Sequence, residues 1–444
     1  MKNLIKELFK GLVLPVLFLI FMTNVSATSY GLAVGATLGS SAEDTRTFAN
    51  TVTNYLNSMG YATIKRTGPT YSNLFVEMNG VSPKRWLLEA DVIYLAGHGN
   101  WDNVSFSTTN KTGPEYNIFI TNSSTYQYGP TNGYIGIGWF NLNKVKFIMF
   151  QGCNTANQSH SNNVAAYARN DGATTTMGWK GIINRNGIAD WITRFWPRVA
   201  AGYTVQQAAE YANSYYYPQG SEGAKEYKIY GSTGLRLTSS RNMAAPSSSA
   251  NEQVSRNEYV FKKTATKDTI TDLIKKTLNK DFYNYEYTLK ETYPENGDEK
   301  VTIQDYVLTV NGVETNLAYT VRIDDNEIKI YDNTEGKDFK VVKEKVEKAL
   351  SRKIEKSKIS EVKNNIMQKN KKISLVDSDY IKRYYYFKDH NLNEMYNQDH
   401  YLYSVKNEYK YYDAKLDKLY YNIDVESKDL ETNSLLVYTE KVEI

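Results

Sequence analysis

The chain has 444 residues, 53 of them basic and 49 acidic, for a formal net charge of +4. Such a near-balance gives no electrostatic case for a nucleic-acid partner. Its one cysteine excludes any internal disulfide, and its length allows two or three domains.

Lys2, Lys6 and Lys10 precede an apolar core from Leu12 to Met22, and Val25-Ser26-Ala27 offers a small-residue cleavage site. Residues 1–27 therefore read as a secretory signal peptide. No later stretch approaches the ~20 apolar residues that a spanning helix needs, so no stable membrane insertion is expected. No cysteine follows the apolar core to take a lipid. The expected product is secreted, either extracellular or loosely held at the cell wall.

From residue 30 to 237 strands alternate with helices. Leu32 to Ala36 suits a buried strand, and Ser40 to Glu43 has capping-box spacing. Phe48, Val52, Tyr55, Leu56 and Met59 then recur at helical spacing until Gly60. Ala62 to Lys65 is a weaker second strand. The third and fourth core strands end at His98 and Cys153. Val164 to Ala168 lies in a helix, Ala173 to Met177 in a fifth strand, and Ile188, Trp191, Ile192, Phe195 and Val199 on another helix. Pro197 should kink or shorten that helix. Gly202 ends it, and Thr204 with Gln207 opens one more, running to about Tyr216. Tyr227 to Tyr230 reads as a closing strand. The alternation implies a mostly parallel sheet with helices on both faces. Ligands bind such sheets beyond the carboxyl ends of the strands, where His98 and Cys153 fall.

Ser239 to Gln253 has linker composition. Residues 254–444 then change character, becoming rich in Lys, Glu and Tyr. A helix near Asp268 to Leu278 precedes strands at Val301 to Val310 and Leu317 to Ile330. A second helix, near Phe339 to Leu350, precedes tyrosine-rich strands to Ile444. This order suggests a smaller α+β C-terminal module built by duplication. The 38 tyrosines suit either aromatic β-structure or carbohydrate and wall contacts.

A lone cysteine behind one strand, with a histidine behind the strand before it, is a candidate nucleophile with its acid/base partner. The competing reading of Cys153 is a buried, inert thiol. His160 reads as solvated. His390 and His400 lack the converging ligands of a metal site, and neither metal nor cofactor is expected.

His98-Gly99 and Gln151-Gly152-Cys153-Asn154-Thr155-Ala156 resemble the blocks of the caspase-like (clan CD) cysteine peptidases, nearest in pattern to CHAT, clostripain and gingipain domains. Gly178-Trp179, Gly202 to Ala208 and Tyr230-Gly231 follow the order of weaker CHAT blocks, so the resemblance covers residues 30 to 237. It implies a caspase-like catalytic domain over 28–238, with Cys153 as nucleophile and His98 as acid/base. The backbone N–H groups of Gly99 and Cys153 would form the oxyanion hole, and Gln151, Gly178 and Trp179 would line the substrate. A neutral Gln151 argues against a strongly acid-lined pocket, with Asp102 and Asp190 as other sources of negative charge. The tail faintly resembles PepSY-type domains and is expected to regulate or target the enzyme, packing on the catalytic domain or binding cell wall. The favoured reading is a secreted cysteine endopeptidase acting on a peptide or protein. The alternatives are a catalytically silent scaffold at the cell surface, and an acyltransferase or amidase using the same dyad.

Overall fold

The computed structural model describes residues 28–38, 43–78, 84–107, 113–129, 132–238, 257–262, 287–352, 356–374, 401–429 and 433–444. The expected signal peptide (1–27), the expected linker (239–253), the helix expected near 268–278, His390 and His400 lie outside the described residues. The duplication expected in the tail rests partly on that helix and lies outside them too.

The fold is α/β. Its first elements are β1 (Tyr30–Gly35), α1 (Arg46–Ser58), β2 (Ala62–Arg66) and β3 (Val92–Ala96). Short strands follow: β4 (His98–Asn100), β5 (Asn103–Ser107), β6 (Asn117–Thr121), β7 (Tyr126–Tyr128) and β8 (Gly133–Gly136). Next come β9 (Phe147–Gln151), α2 (Val164–Asn170), β10 (Thr175–Trp179), α3 (Arg185–Ala200), α4 (Val205–Asn213) and β11 (Tyr227–Gly231). Six of these strands form one sheet in the order β11-β10-β9-β3-β1-β2, parallel except for β11 against β10.

Strand side chains alternate between the faces, and both faces of β1, β3 and β9 are covered, which is why these strands read as continuous apolar runs. Ala33, Val92, Tyr94, Phe147, Met149 and Met177 join one core with Val52 and Leu56 of α1, Trp191, Phe195 and Trp196 of α3, and Ala208 of α4. Leu32, Val34, Ile93, Leu95, Ile148 and Phe150 join another with Val164 and Ala168 of α2 and Val104, Ile118 and Ile135 of the short strands.

Three local expectations are corrected. Ser40 lies outside the described residues, and α1 starts only at Arg46, behind an N-cap, Thr45, that makes no side-chain cap bond. Thr45 instead donates to Ala96 O at 2.8 Å. Pro197 does not shorten α3, which runs on to Ala200. It lies in the last turn, where a missing N–H disturbs only the bond to the preceding turn. The Thr204–Gln207 capping box forms as its spacing implies, but α4 ends at Asn213, short of Tyr216.

The tail contributes β12 (Glu258–Lys262), β13 (Tyr287–Glu295), β14 (Asp298–Val310), β15 (Val313–Ile323) and β16 (Glu327–Asp332). It continues with α5 (Phe339–Leu350), α6 (Lys356–Ser374), β17 (Tyr401–Asp413), β18 (Lys418–Asp429) and β19 (Leu435–Glu443). Asn311-Gly312 joins β14 to β15 with both φ angles positive, 50° and 75°, as a tight hairpin turn demands. The tail does not form a sheet of its own. β19 pairs antiparallel with β4, and through it the tail strands and β4–β8 make one 13-stranded sheet. A buried ion pair, Lys225 Nζ to Asp305 Oδ2 at 2.6 Å, ties the two parts together further along. No described helix is long and apolar enough to cross a membrane.

Candidate active site

β3 and β9 are parallel neighbours in register, with Ala96 opposite Gln151. Each chain leaves its strand end by two residues to reach His98 or Cys153, so both fall on one edge of the sheet. Here the backbones touch. A Cβ added to Gly99 would sit 2.5 Å from Cys153 N and Cys153 O, and one added to Gly152 would sit 2.8 Å from Gly99 Cα. Real side chains do not approach so closely, which explains glycine at both places. The turn after the cysteine is held by Thr155, whose hydroxyl donates to Phe150 O at 2.9 Å, and by Asn154 at φ 61°. Asn154 N also donates to Gly181 O at 2.8 Å.

Behind the histidine is a carboxylate. Glu43 Oε1 lies 3.7 Å from His98 Nε2, and both side chains are 0% exposed. The loop carrying Glu43 is pinned by Thr45 on the end of β3 and by Arg185, whose Nε and Nη2 donate to Asp44 O at 2.9 and 2.6 Å. Glu43 Oε2 accepts from the Tyr403 hydroxyl of the tail at 3.1 Å. Its capping-box spacing drew attention to helix initiation. The signal that could have found it is a carboxylate just beyond β1, at the same sheet edge as His98.

Cys153 is 0% exposed and belongs to the apolar core shared by α1, α3 and α4. An open crevice at the thiol is therefore not what this structure contains. The peptide of Ile183 brackets the sulfur, its N–H donating to Sγ at 3.4 Å and its carbonyl accepting from Sγ at 3.6 Å. Burial pushes the thiol up to about 12, and the Glu426 carboxylate of β18 adds to the rise. Backbone amides of Ile183, Cys153 and Val437 pull the other way without overcoming it. In this state the sulfur is a thiol, not a thiolate.

The rim is closed by the tail. Leu435 of β19 pairs with Gly99, and Val437 forms a parallel bridge with Asn184 on the opposite lip. Asn184 caps α3, its side-chain oxygen accepting from Asn186 N at 2.8 Å, while its Nδ2 donates to Thr439 Oγ1 at 2.7 Å. Ser434 donates to Asn103 Oδ1 at 2.9 Å.

The expected substrate-lining residues are otherwise engaged. Gln151 is buried and its Oε1 accepts from the Tyr94 hydroxyl inside the core. Trp179 is fully buried, donates from Nε1 to Ala224 O at 2.9 Å and packs edge-on against Trp191. Its backbone serves the turn after Cys153, accepting from Ala156 N at 2.9 Å. Gly178 admits Thr155, whose hydroxyl would lie 2.7 Å from an added Cβ. Gly178 and Trp179 support the turn after Cys153; Ile183 brackets the sulfur and Asn184 meets the strand beside it. Asp190 is exposed on α3. Asp102 accepts from Asn103 Nδ2 at 2.7 Å. His160 is exposed and stacks on Trp101, with centroids 4.4 Å apart. No group of three or more His, Cys, Asp or Glu among the described residues is arranged to hold a metal ion.

Compared with known proteins, the chain matches no family model and no curated protein.

Proposed function

We propose that the chain is a secreted cysteine endopeptidase of caspase-like build, in which Cys153 attacks the scissile carbonyl and His98 moves the proton. The observation that carries this reading is the backbone contact between His98-Gly99 and Gly152-Cys153 at the ends of adjacent parallel strands. Further support comes from the sheet order, with a final antiparallel strand, and from Glu43 behind His98. A carboxylate there orients the imidazole and stabilises its charged form, so Glu43 is a positioning residue.

In the reaction Cys153 loses its proton to His98 and its sulfur adds to the peptide carbonyl. The oxyanion is met by the N–H groups of Gly99 and Cys153. Collapse breaks the C–N bond, the amine leaves with the proton from His98, and a thioester remains. Water, deprotonated by His98, then releases the acid and restores the thiol.

The test is hydrolysis of an unbiased peptide-amide library by the chain, intact and after limited proteolysis. Cys153→Ala and His98→Ala should each abolish it, and their losses should not add. Cleavage surviving in Cys153→Ala would refute the assignment. A second reading, a silent binding scaffold, draws on the complete burial of Cys153; it expects no Cys153-dependent turnover in either form. Transfer of the acyl group to an amine in the same assay would point to an acyltransferase.

A further inference from the structure

We propose that β19 is an intramolecular plug: Leu435–Val437 occupies the groove over Cys153 where an extended peptide would bind, so the chain as described is a closed form. This rests on the reading above only in calling the groove a peptide site. Occlusion itself stands on geometry.

The tail strand touches the catalytic part at the rim of the site. It adds to β4 at Gly99, which the proposed mechanism gives to the oxyanion, and bridges Asn184 on the facing lip. Successive side chains fall on opposite faces, as a strand requires. Leu435 packs on the core that contains Cys153, and Leu436, 3% exposed, enters the core beneath β4 and β5. Polar bonds fasten both ends: Ser434 to Asn103 on one side, and Thr439 to Asn184 and Asp424 on the other. Tyr403 donates to Oε2 of the Glu43 carboxylate. A strand that merely completed a sheet had no need to reach both lips of the nucleophile loop and the carboxylate behind the histidine.

Without β19, β4 would present an unpaired edge beside Cys153. An open edge is a template for an added strand, with main-chain bonds giving affinity and alternate side chains giving choice. The groove is therefore a strand-addition site for an extended peptide, filled here by the chain's own segment. Opening must precede substrate binding, and it must also release the thiol from its buried environment.

The experiment measures alkylation of Cys153 by iodoacetamide, which requires no catalysis, in the full chain and in Leu435→Pro and Val437→Pro. Proline removes the backbone N–H, at Leu435 where β19 pairs with β4 and at Val437 where the amide faces the Cys153 sulfur. With folding checked by circular dichroism, both variants should react at least about tenfold faster, since an ordinary thiol near 8.5 is far more ionised at neutral pH. Leu416→Glu, at an exposed tail turn, should match the unaltered chain. Unchanged alkylation in folded proline variants overturns the plug. Should they not fold, hydrogen exchange on the unaltered chain decides: amides of 435–437 must open at least as often as Cys153 reacts, and slower opening overturns the proposal. Faster alkylation without peptide cleavage would uphold the plug and reject the protease.

Discussion

The Lys225–Asp305 pair sets a measurable part of the energy holding the tail closed. Lys225 Nζ lies 2.8 and 2.6 Å from the two Asp305 oxygens, and Thr320 Oγ1 donates to Asp305 Oδ1 at 2.5 Å. Their side chains are 0% and 1% exposed. Asp305→Ala leaves a buried ammonium without its counter-charge, at a cost of about 3–5 kcal/mol. At 1.4 kcal/mol per tenfold, the opening constant should rise by roughly two to four orders of magnitude. Replacing both partners, as in Lys225→Met with Asp305→Leu, removes the stranded charge and should recover most of that loss. A chain with two parts need not unfold in one step, so bulk unfolding is a poor readout. Alkylation of Cys153 across low urea concentrations follows the opening itself. A single variant that reacts less than tenfold faster, or a double variant no better than the single, would refute the reasoning.

Glu43→Gln keeps the shape behind His98 and removes its charge. In the Leu435→Pro chain it should lower kcat by at least about tenfold with little change in KM, and shift the pH–rate profile as the imidazolium loses support. Asp424 is buried against Thr439, 2.7 Å away, and Asn184, and burial raises its carboxyl to about 6. Glu314, which accepts from Gln219 N across the same interface, is raised to about 7. Both groups are raised in the closed form, so their contribution to closure is complete below the ordinary carboxyl range. It is lost as pH rises through about 6 and 7. Exchange protection of β19 should therefore fall between about pH 4 and 7, and Asp424→Asn should flatten the first part of that fall.

β1, β3 and β9 were legible because they are buried on both faces and read as apolar runs, whereas the half-exposed β2 reads more weakly; the fifth strand sits two residues later than its apolar start suggests, at Thr175–Trp179. β4 to β8 were not, because strands of three to five residues rich in Asn, Ser, Gly and Tyr have neither apolar length nor clear alternation. His98 and Cys153 could be picked out since each follows by two residues the end of one of two paired strands, β3 and β9. Glu43 could not, because its role depends on the loop between β1 and α1 folding back over the end of β3. Gln151 and Trp179, which the family resemblance sets at the substrate, are buried in the core of this closed form, where the pleat turns them. The pairing of Leu435 with Gly99 joins segments from opposite ends of the chain, and nothing local in either announces the other.

The cover over Cys153 also bears on how long the molecule keeps its sulfur. An ionised, accessible thiol passes readily to sulfenic acid and, with more oxidant, to sulfinic acid, which ordinary reductants do not reverse. A protonated sulfur sealed beneath β19 is shielded from the first of those steps. On the proposed secreted, plugged reading, a chain stored closed is a preserved reagent, and each opening starts a clock on its working life.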